Sequence, residues 1–589
     1  MTAGIDDPSA NPLKTPALLR RCRSFLIVAV ICFLASLCCL RSVLVSANTS
    51  VPTTEAGSMT VPLFNVWTIL WNCSVLTRPE GSYWDAPIFH PHTGTFAYSE
   101  PQPLTMLLTP LKMAGASPAL LYNVYLVVSL TLNGCFAFLL MGSLRCHFLS
   151  SCAAAVGMTL LPMVHDQLDV VQLVPLWPAL WTLRSLLAVK QASSNPQSTR
   201  LTLVASSLQL GFAYAVTAAA SLHHCLFLTV LLVFCLPVLF WKSAPGRLIG
   251  GATLALIVAG TLTIPWVVPM KKIVDQKHFV REQGLVSQLS AVPADLLRVA
   301  QRQLLPGTSL SGIRPWYLSP GLFRSLMALG LIPLLFLNPR GWLTSRRRPA
   351  VFFLFLMLIA ATFSLGTNLQ VNGLSLWQLL TRVVPGMSQV RSAFRFGYFY
   401  QAAVIVLGAL TLDCLFCWVR VRIRSVGLQT LFCAIPSIML AVEVLPLLPH
   451  NVSVPAAVSP PVWAEVVAKN LSAGQGVLVL PYAPGAGVQD FESTTRLMVS
   501  LSEASFPTVN GYSGFFPDSH FAWHALLTRA PDEAAIVEFM KKEKVEIVVC
   551  LDGAYERLFR SDKDPVLLTP LMNDPQNGIV ILKLRQQEK

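Results

Sequence analysis

Long apolar runs separated by short basic gaps fill residues 1–450, and a mixed alternation of apolar and polar positions takes over in 451–589. A helix that crosses a bilayer needs about 20 mostly apolar residues, with about 17 as a lower limit. On that rule the runs near 24–46, 119–141, 151–169, 170–189, 201–221, 222–241, 248–269, 321–338, 350–366, 397–419 and 428–448 predict eleven spans. The last part reads instead as α/β. It has an amphipathic helix at 461–471, a strand at 477–482, helices near 493–503, 518–528 and 532–543, and strands at 545–551 and 578–585. Asp532 fits an N-cap after a Pro-rich break. The expected fold is a mainly α, polytopic helical membrane protein with a C-terminal extracytoplasmic α/β domain. Residues 1–23 form a cytoplasmic tail, 24–450 the membrane region with a large outer loop at 47–118, and 451–589 the terminal domain.

Composition excludes a soluble, disordered or fibrous chain. Of 589 residues 54% are hydrophobic and 12% charged, against about 25% charged in soluble domains. Charge is divided unevenly: residues 451–589 hold 12 Lys+Arg and 16 Asp+Glu, leaving 31 and 13 for residues 1–450. A basic balance can signal nucleic acid, but no nucleic-acid partner is expected here, because the excess sits in alternate gaps between spans. Arg145, Lys190, Arg200, Lys242, Arg247, Arg340, Arg346, Arg347, Arg348, Arg420, Arg422 and Arg424 lie in five gaps that contain no Asp or Glu. Loops rich in Lys and Arg stay on the cytoplasmic side, so the N-terminus is expected inside an inner (cytoplasmic) membrane and the terminal domain outside. Val45-Ser46-Ala47 resembles a cleavage site, yet the first apolar run is longer than a usual signal core and reads as an uncleaved anchor. Twelve of the 14 cysteines lie in or beside spans or in the N-terminal tail, where small soft side chains pack, the Cys414/Cys417 pair included.

The first outer loop is too long to be a connector, and loops of that length tend to carry function. It runs through VPLFNVWTILWN (61–72) and YWDAPIFHPHTGTFAYSEPQP (83–103) to an apolar stretch at 104–114 that is too short to span and reads as an interfacial or re-entrant helix. The order PLFNxW, aromatic-Asp-Ala-Pro-Ile-Phe-His-Pro, AYSE and SPALLYNVYLVVSLTLNG (117–134) resembles a family of bacterial polytopic proteins related to the GT-C-type membrane glycosyltransferases. The likeness continues in QLVPLWPAL (172–180), VPGMSQVRSAFRFGYF (384–399), and the segments PPVWAEVVAKN, VLVLPYAP and TVNGYSGFFPDSHF of the last part. The resemblance implies a multi-span transferase whose first outer loop supplies the chemistry. A sugar would move from a polyprenyl-phosphate donor to an envelope acceptor on the outer face. The sequence departs from the family at one point. Where relatives often read Gly-Asp-Pro-Leu before Asn-x-Trp, the stretch here is Met59-Thr60-Val61-Pro62-Leu63, so that carboxylate is missing.

Such chemistry needs a carboxylate base for the acceptor hydroxyl and cations for the leaving phosphate. The first loop offers Glu55, Glu80, Asp85 and Glu100. Glu100 and Asp85 are the catalytic candidates, since both sit among aromatics near membrane depth; an exposed or capping acid, or a turn-forming Asp before Pro87, is the plainer account. His90 and His92 are candidates for phosphate or metal, or are simply polar surface. Arg391 and Arg395, four apart, are expected on one helix face at the outer end of the tenth span, either binding phosphate or snorkelling to the interface. Lys271, Lys272, Lys277, Arg281, Arg298, Arg302 and Arg314 make the 270–320 loop basic against three acids, either as a donor-phosphate cradle or in contact with headgroups. Asp166 and Asp169, in an outer turn with His165, could share a divalent cation if the turn is helical. His223 and His224 are expected to face water, and His520 and His524 to serve a structural helix.

Two readings follow. One is a transferase whose acid and arginines converge on one outward cavity, with membrane lipid and a polyprenyl-phosphate-linked sugar as partners. The other is a non-catalytic scaffold or transport component of envelope polysaccharide assembly, in which those groups are scattered.

Overall fold

The computed structural model describes residues 15–53, 59–75, 82–241, 245–298, 318–336, 347–444, 449–454, 460–485, 487–504, 506–528, 533–554 and 567–585. Glu55, Glu80, Arg302, Arg314 and Asp532 lie outside them. The helices of the apolar part are α1 (Thr15–Cys39), α2 (Thr60–Ser74), α3 (Pro118–Ser143), α4 (Phe148–Thr159), α5 (Trp177–Ser194), α6 (Arg200–Ala220), α7 (Leu222–Phe240), α8 (Pro245–Gln276), α9 (Gly321–Phe336), α10 (Arg347–Ser364), α11 (Gly397–Arg422) and α12 (Val426–Val444).

Among the described residues nine helical stretches are long and apolar enough to cross a membrane. One expected span falls short: at 170–189 the helix begins only at Trp177, and Arg184, Lys190 and Gln191 reduce its apolarity. Of the span expected at 321–338, residues 337–338 lie outside the described residues, and α9 is the 16 residues before them. Both still pack in the bundle, α5 along α3 and α6, and α9 along α11. Helix α11 is the buried axis, with Phe399, Ala403, Val404, Ile405, Val406 and Leu410 sealed from solvent. Helices α8 and α12 turn Leu256, Ile257, Leu431 and Ile438 outward, as helices in contact with lipid do. Asp413 of α11 accepts the backbone N–H of His147 at 2.6 Å, satisfying a donor that precedes α4. No disulfide joins any of the 14 cysteines.

The last part has helices α13 (Val462–Asn470), α14 (Glu492–Ser500), α15 (Asp518–Thr528) and α16 (Glu533–Lys542). Counting β1 (Ser50–Thr53) in the first loop, the strands that follow are β2 (His450–Ser453), β3 (Gly476–Leu480), β4 (Val545–Cys550), β5 (Leu568–Asp574) and β6 (Ile579–Leu584). The sheet order is β3-β4-β6-β5, parallel between β3 and β4 and antiparallel elsewhere. Strand alternation separates two cores. Leu478, Leu480, Val548 and Cys550 pack with Trp523, Ile536 and Met540 on one face. Val477, Val479, Ile547 and Val549 pack with Trp463 and Val467 on the other.

This unit clamps the first loop. His90 N–H donates to Thr508 O at 2.9 Å, Thr508 N–H returns to Pro87 O at 3.1 Å, and Phe515 N–H reaches Tyr98 O at 3.0 Å. The Phe89 ring lies so close to Gly511 that a Cβ there would stand 2.9 Å from it. Helix α2 packs on α14, and the Thr60 hydroxyl donates to Val488 O at 2.7 Å. β1 pairs antiparallel with β2, Ser50 opposite Ser453 and Thr53 opposite His450.

Candidate active site

A web of side-chain amides fixes the AYSE segment. Asn72 of α2 donates to Pro101 O (2.7 Å), Gln102 O (3.1 Å) and Thr105 Oγ1 (2.8 Å), and its Oδ1 accepts the Tyr83 hydroxyl at 2.9 Å. Asn65, two turns earlier, donates to Asp169 O at 2.9 Å and accepts from Gln102 Nε2 at 3.0 Å. Gln102 spends its other proton on Gln172 Oε1, also at 3.0 Å. With Gln102 in the left-handed region at φ +51°, the chain turns sharply after Glu100 and sends that carboxylate into the bundle.

Glu100 is 7% exposed. Its Oε1 accepts the backbone N–H of Leu222 and its Oε2 meets His223 Nδ1 at 2.5 Å. Leu222 opens α7, so the carboxylate takes a donor that has no partner within the helix and meets the positive end of the helix dipole. Burial alone would raise the Glu100 carboxyl, but His223 and the Leu222 amide together hold it below the usual range. Asp85 differs. It is exposed, and its Oδ1 closes a loop by accepting Gly94 N–H at 2.6 Å.

Arg391 and Arg395 do not share a helix face. Val390–Ser392 is not helical, Ala393–Phe396 is a single tight turn and α11 starts only at Gly397, so the four-residue spacing is not a helical one. The chain nonetheless brings the two charges into each other's field. Arg395 is 9% exposed, and its surroundings include Tyr398, Glu100 and Asp169. Arg281 joins them: it stacks on Phe515 at 3.7 Å, donates to Gly514 O at 2.7 Å, and burial together with Arg391 and Arg395 presses its pKa downward. Three guanidiniums this close repel one another, and an anion among them relieves the repulsion.

Four buried polar atoms in this region have no hydrogen-bond partner among the described residues: Arg395 Nε, Tyr398 OH, His224 Nε2 and Tyr125 OH. They are neighbours. The His224 and Tyr398 rings are 5.1 Å apart, Tyr398 lies in the field of Arg395, and Tyr125 and His224 lie in that of Glu100. Buried polar groups are almost always paired, so such a cluster marks a place built for a polar guest.

The other candidates sit as follows. Asp169 is buried and Asp166 half-buried in the turn after Pro162–His165, and both act on Tyr398. Among the described residues no third His, Cys, Asp or Glu completes a metal-binding set. His90 and His92 face the terminal unit: His90 Nε2 meets Lys544 O at 2.9 Å, and His92 Nε2 meets Ser519 Oγ at 2.8 Å. Burial lowers the pKa of both. His520 Nδ1 meets the Tyr482 hydroxyl at 2.8 Å and His524 Nδ1 meets Ala483 O at 3.0 Å, both structural. The expectation that His223 and His224 face water is overturned: His224 is 1% exposed and His223 holds Glu100. A Ser-Leu-His-His run opening a predicted span (221–224) was the available signal. Ser221 caps the helix by accepting His224 N–H at 3.2 Å.

The chain is a multi-pass membrane protein with the architecture of GT-C-type glycosyltransferases. No protein-family model matches it, and no curated protein does. Among solved structures it is similar to the cryo-EM structure of arabinofuranosyltransferase AftD from Mycobacteria, at 13% identity and TM-score 0.58, over 96% of this chain and 40% of that one. It is also similar to the archaeal oligosaccharyltransferase AglB from Archaeoglobus fulgidus in complex with an inhibitory peptide and a dolichol-phosphate, at 13% identity and TM-score 0.51, over 90% of this chain and 70% of that one. The chain thus spans about two fifths of AftD's length. At these identities the likeness is one of fold.

Proposed function

We propose that the protein is a membrane glycosyltransferase that moves a sugar from a polyprenyl-phosphate donor to an envelope acceptor. The reading places the first loop and the terminal unit on the outer face of the cytoplasmic membrane, with the N-terminus inside. One observation carries it: Glu100 from the first loop and Arg391 from the lead-in to α11, about 290 residues apart in sequence, both act on buried Arg395, whose Nε has no hydrogen-bond partner among the described residues. The Glu100 centre takes the acceptor proton as the acceptor oxygen attacks the sugar. Arg391 and Arg395, joined by Arg281, hold the phosphate as it gains charge on leaving. The dolichol-phosphate bound to AglB makes a lipid phosphate the natural guest for such a cluster on this fold.

The test is sugar transfer in membranes containing the protein, with a panel of radiolabelled polyprenyl-phosphate sugars and with Glu100→Gln and Arg395→Met at matched expression. Labelling of an acceptor by the unaltered protein and its loss in both variants supports the reading. No turnover of any donor, with variants that behave like wild type in cells, removes it. A second reading, a non-catalytic scaffold or transport component of envelope polysaccharide assembly, draws on a separate observation: the stretch lacking the family's acid is covered, Thr60 being fully buried under the Val488 carbonyl.

A further inference from the structure

Both oxygens of Glu100 are already occupied, one by the Leu222 amide and one by His223 Nδ1. Its side chain is 5% exposed, whereas that of His223 is 24% exposed. Lone pairs remain on both oxygens, but the enclosed carboxylate offers a substrate little access to them, whereas the imidazole is more open. The carboxylate also fixes the state of the ring. An ionised carboxylate only accepts hydrogen bonds, so Nδ1 of His223 carries the proton, and in the neutral ring Nε2 is left as an acceptor. Burial opposes that ionisation, but His223 and the amide at the start of α7 outweigh it. His223 Nε2 has no hydrogen-bond partner among the described residues.

We propose that the basic atom of this site is Nε2 of His223, and that Glu100 is the positioning residue that orients the ring and supports its positive charge. The proposal rests on the transferase reading and says which atom in it moves the proton. The acceptor O–H gives its proton to Nε2 as its oxygen bonds to the anomeric carbon. The bond from that carbon to the phosphate oxygen breaks, and its electron pair leaves with the lipid phosphate. The imidazolium so formed is held by Glu100 and returns its proton to solvent. The charged and titratable groups facing the pair are His224 and Cys225 on the same helix, Tyr125 of α3 and Arg395. Helices α5, α6 and α10, which pack against α7, contain no Asp or Glu.

His223→Asn tests it, because the Asn amide can still donate to Glu100 but offers no titrating nitrogen beyond it. The expected result is a loss in kcat of about 100-fold or more, with KM for donor and acceptor changed by less than about threefold. Glu100→Gln withdraws support from the imidazolium and should also lower kcat, with KM for donor and acceptor again changed by less than about threefold. Wild-type kcat in His223→Asn overturns the proposal.

A readout independent of transfer is carbethoxylation by diethyl pyrocarbonate, located by peptide mass. His223 should react through Nε2, at a rate that changes in Glu100→Gln. An inert His223 also overturns the proposal. If no donor is turned over while His223 reacts with that dependence on Glu100, the pair stands as the basic centre and it is the transferase reading that fails.

Discussion

The two halves of the first loop make opposite use of the same residue types. Around Asp85, His90 and His92 the acid closes a turn and the imidazoles hydrogen-bond to the terminal unit. Around Glu100 the acid enters the bundle, and the imidazole it meets comes from α7. Both halves contain an acid among aromatics and prolines, and the sequence offers no means to rank them. What separates them is the partner each meets. Asp85, His90 and His92, paired with a backbone amide, a backbone carbonyl and a serine hydroxyl, are spent on structure, whereas the Glu100–His223 pair beside unpartnered polar atoms and three guanidiniums is not.

The largest effect should come from breaking the inner half. Arg395→Met is expected to lower transfer by about 100-fold, the usual consequence of removing a donor aimed at developing charge. Most of the loss should appear in kcat, measured with saturating lipid-linked sugar.

The outer half should respond in stability instead. The His520 ring packs on Phe89 with centroids 5.9 Å apart, and burial, with His524 nearby, lowers its pKa to about 4. A histidine in the unfolded chain takes up a proton at about 6.5. This group therefore contributes stability that is complete above pH 6.5 and is lost as pH falls towards 4, on the order of 3 kcal/mol in all. Thermal melts of the purified protein across that range should show an acid-side decline that His520→Gln flattens.

Gly511→Ala presses a methyl group against the Phe89 ring. It should cost about 1–3 kcal/mol, read as a lower melting temperature with kcat little changed. The smallest effect is expected from Asp85→Asn, which keeps an oxygen for the Gly94 amide. Transfer should stay within about threefold of wild type, and a loss as large as that of Arg395→Met would erase the distinction between the halves.

Much of the fold was legible because lipid and strand pairing impose simple periods. Long apolar runs gave the bundle, and the short, almost wholly apolar runs Val477–Leu480 and Val545–Cys550 gave the sheet's two buried central strands. β5 escaped notice: its Leu-Thr-Pro-Leu-Met-Asn-Asp (568–574) has a proline and a bulge that blur the period. The site was only half legible. Glu100, Arg391 and Arg395 stood out as charges near apolar segments, but the helix-face argument for the arginines failed because the chain is not helical at Val390–Ser392. His223 was dismissed because its meaning depends on Glu100, and no local pattern connects residues 100 and 223. Arg281 was one basic residue among seven in its loop, and only the stack on Phe515 singles it out.

The pairing of β1 with β2 gives the molecule a purse-string geometry. Residues 50–53 and 450–453 lie side by side, so the roughly 400 residues between them form one loop drawn shut by a few hydrogen bonds. The covalent link at the neck of that loop is then dispensable once the protein has folded, since chain closure over such a length adds little to what the docked surfaces already supply. Two polypeptides, one ending before the terminal unit and one carrying it, should find each other in the same membrane and restore the clamp over the first loop. The bond between them would matter for assembly and not for the finished machine.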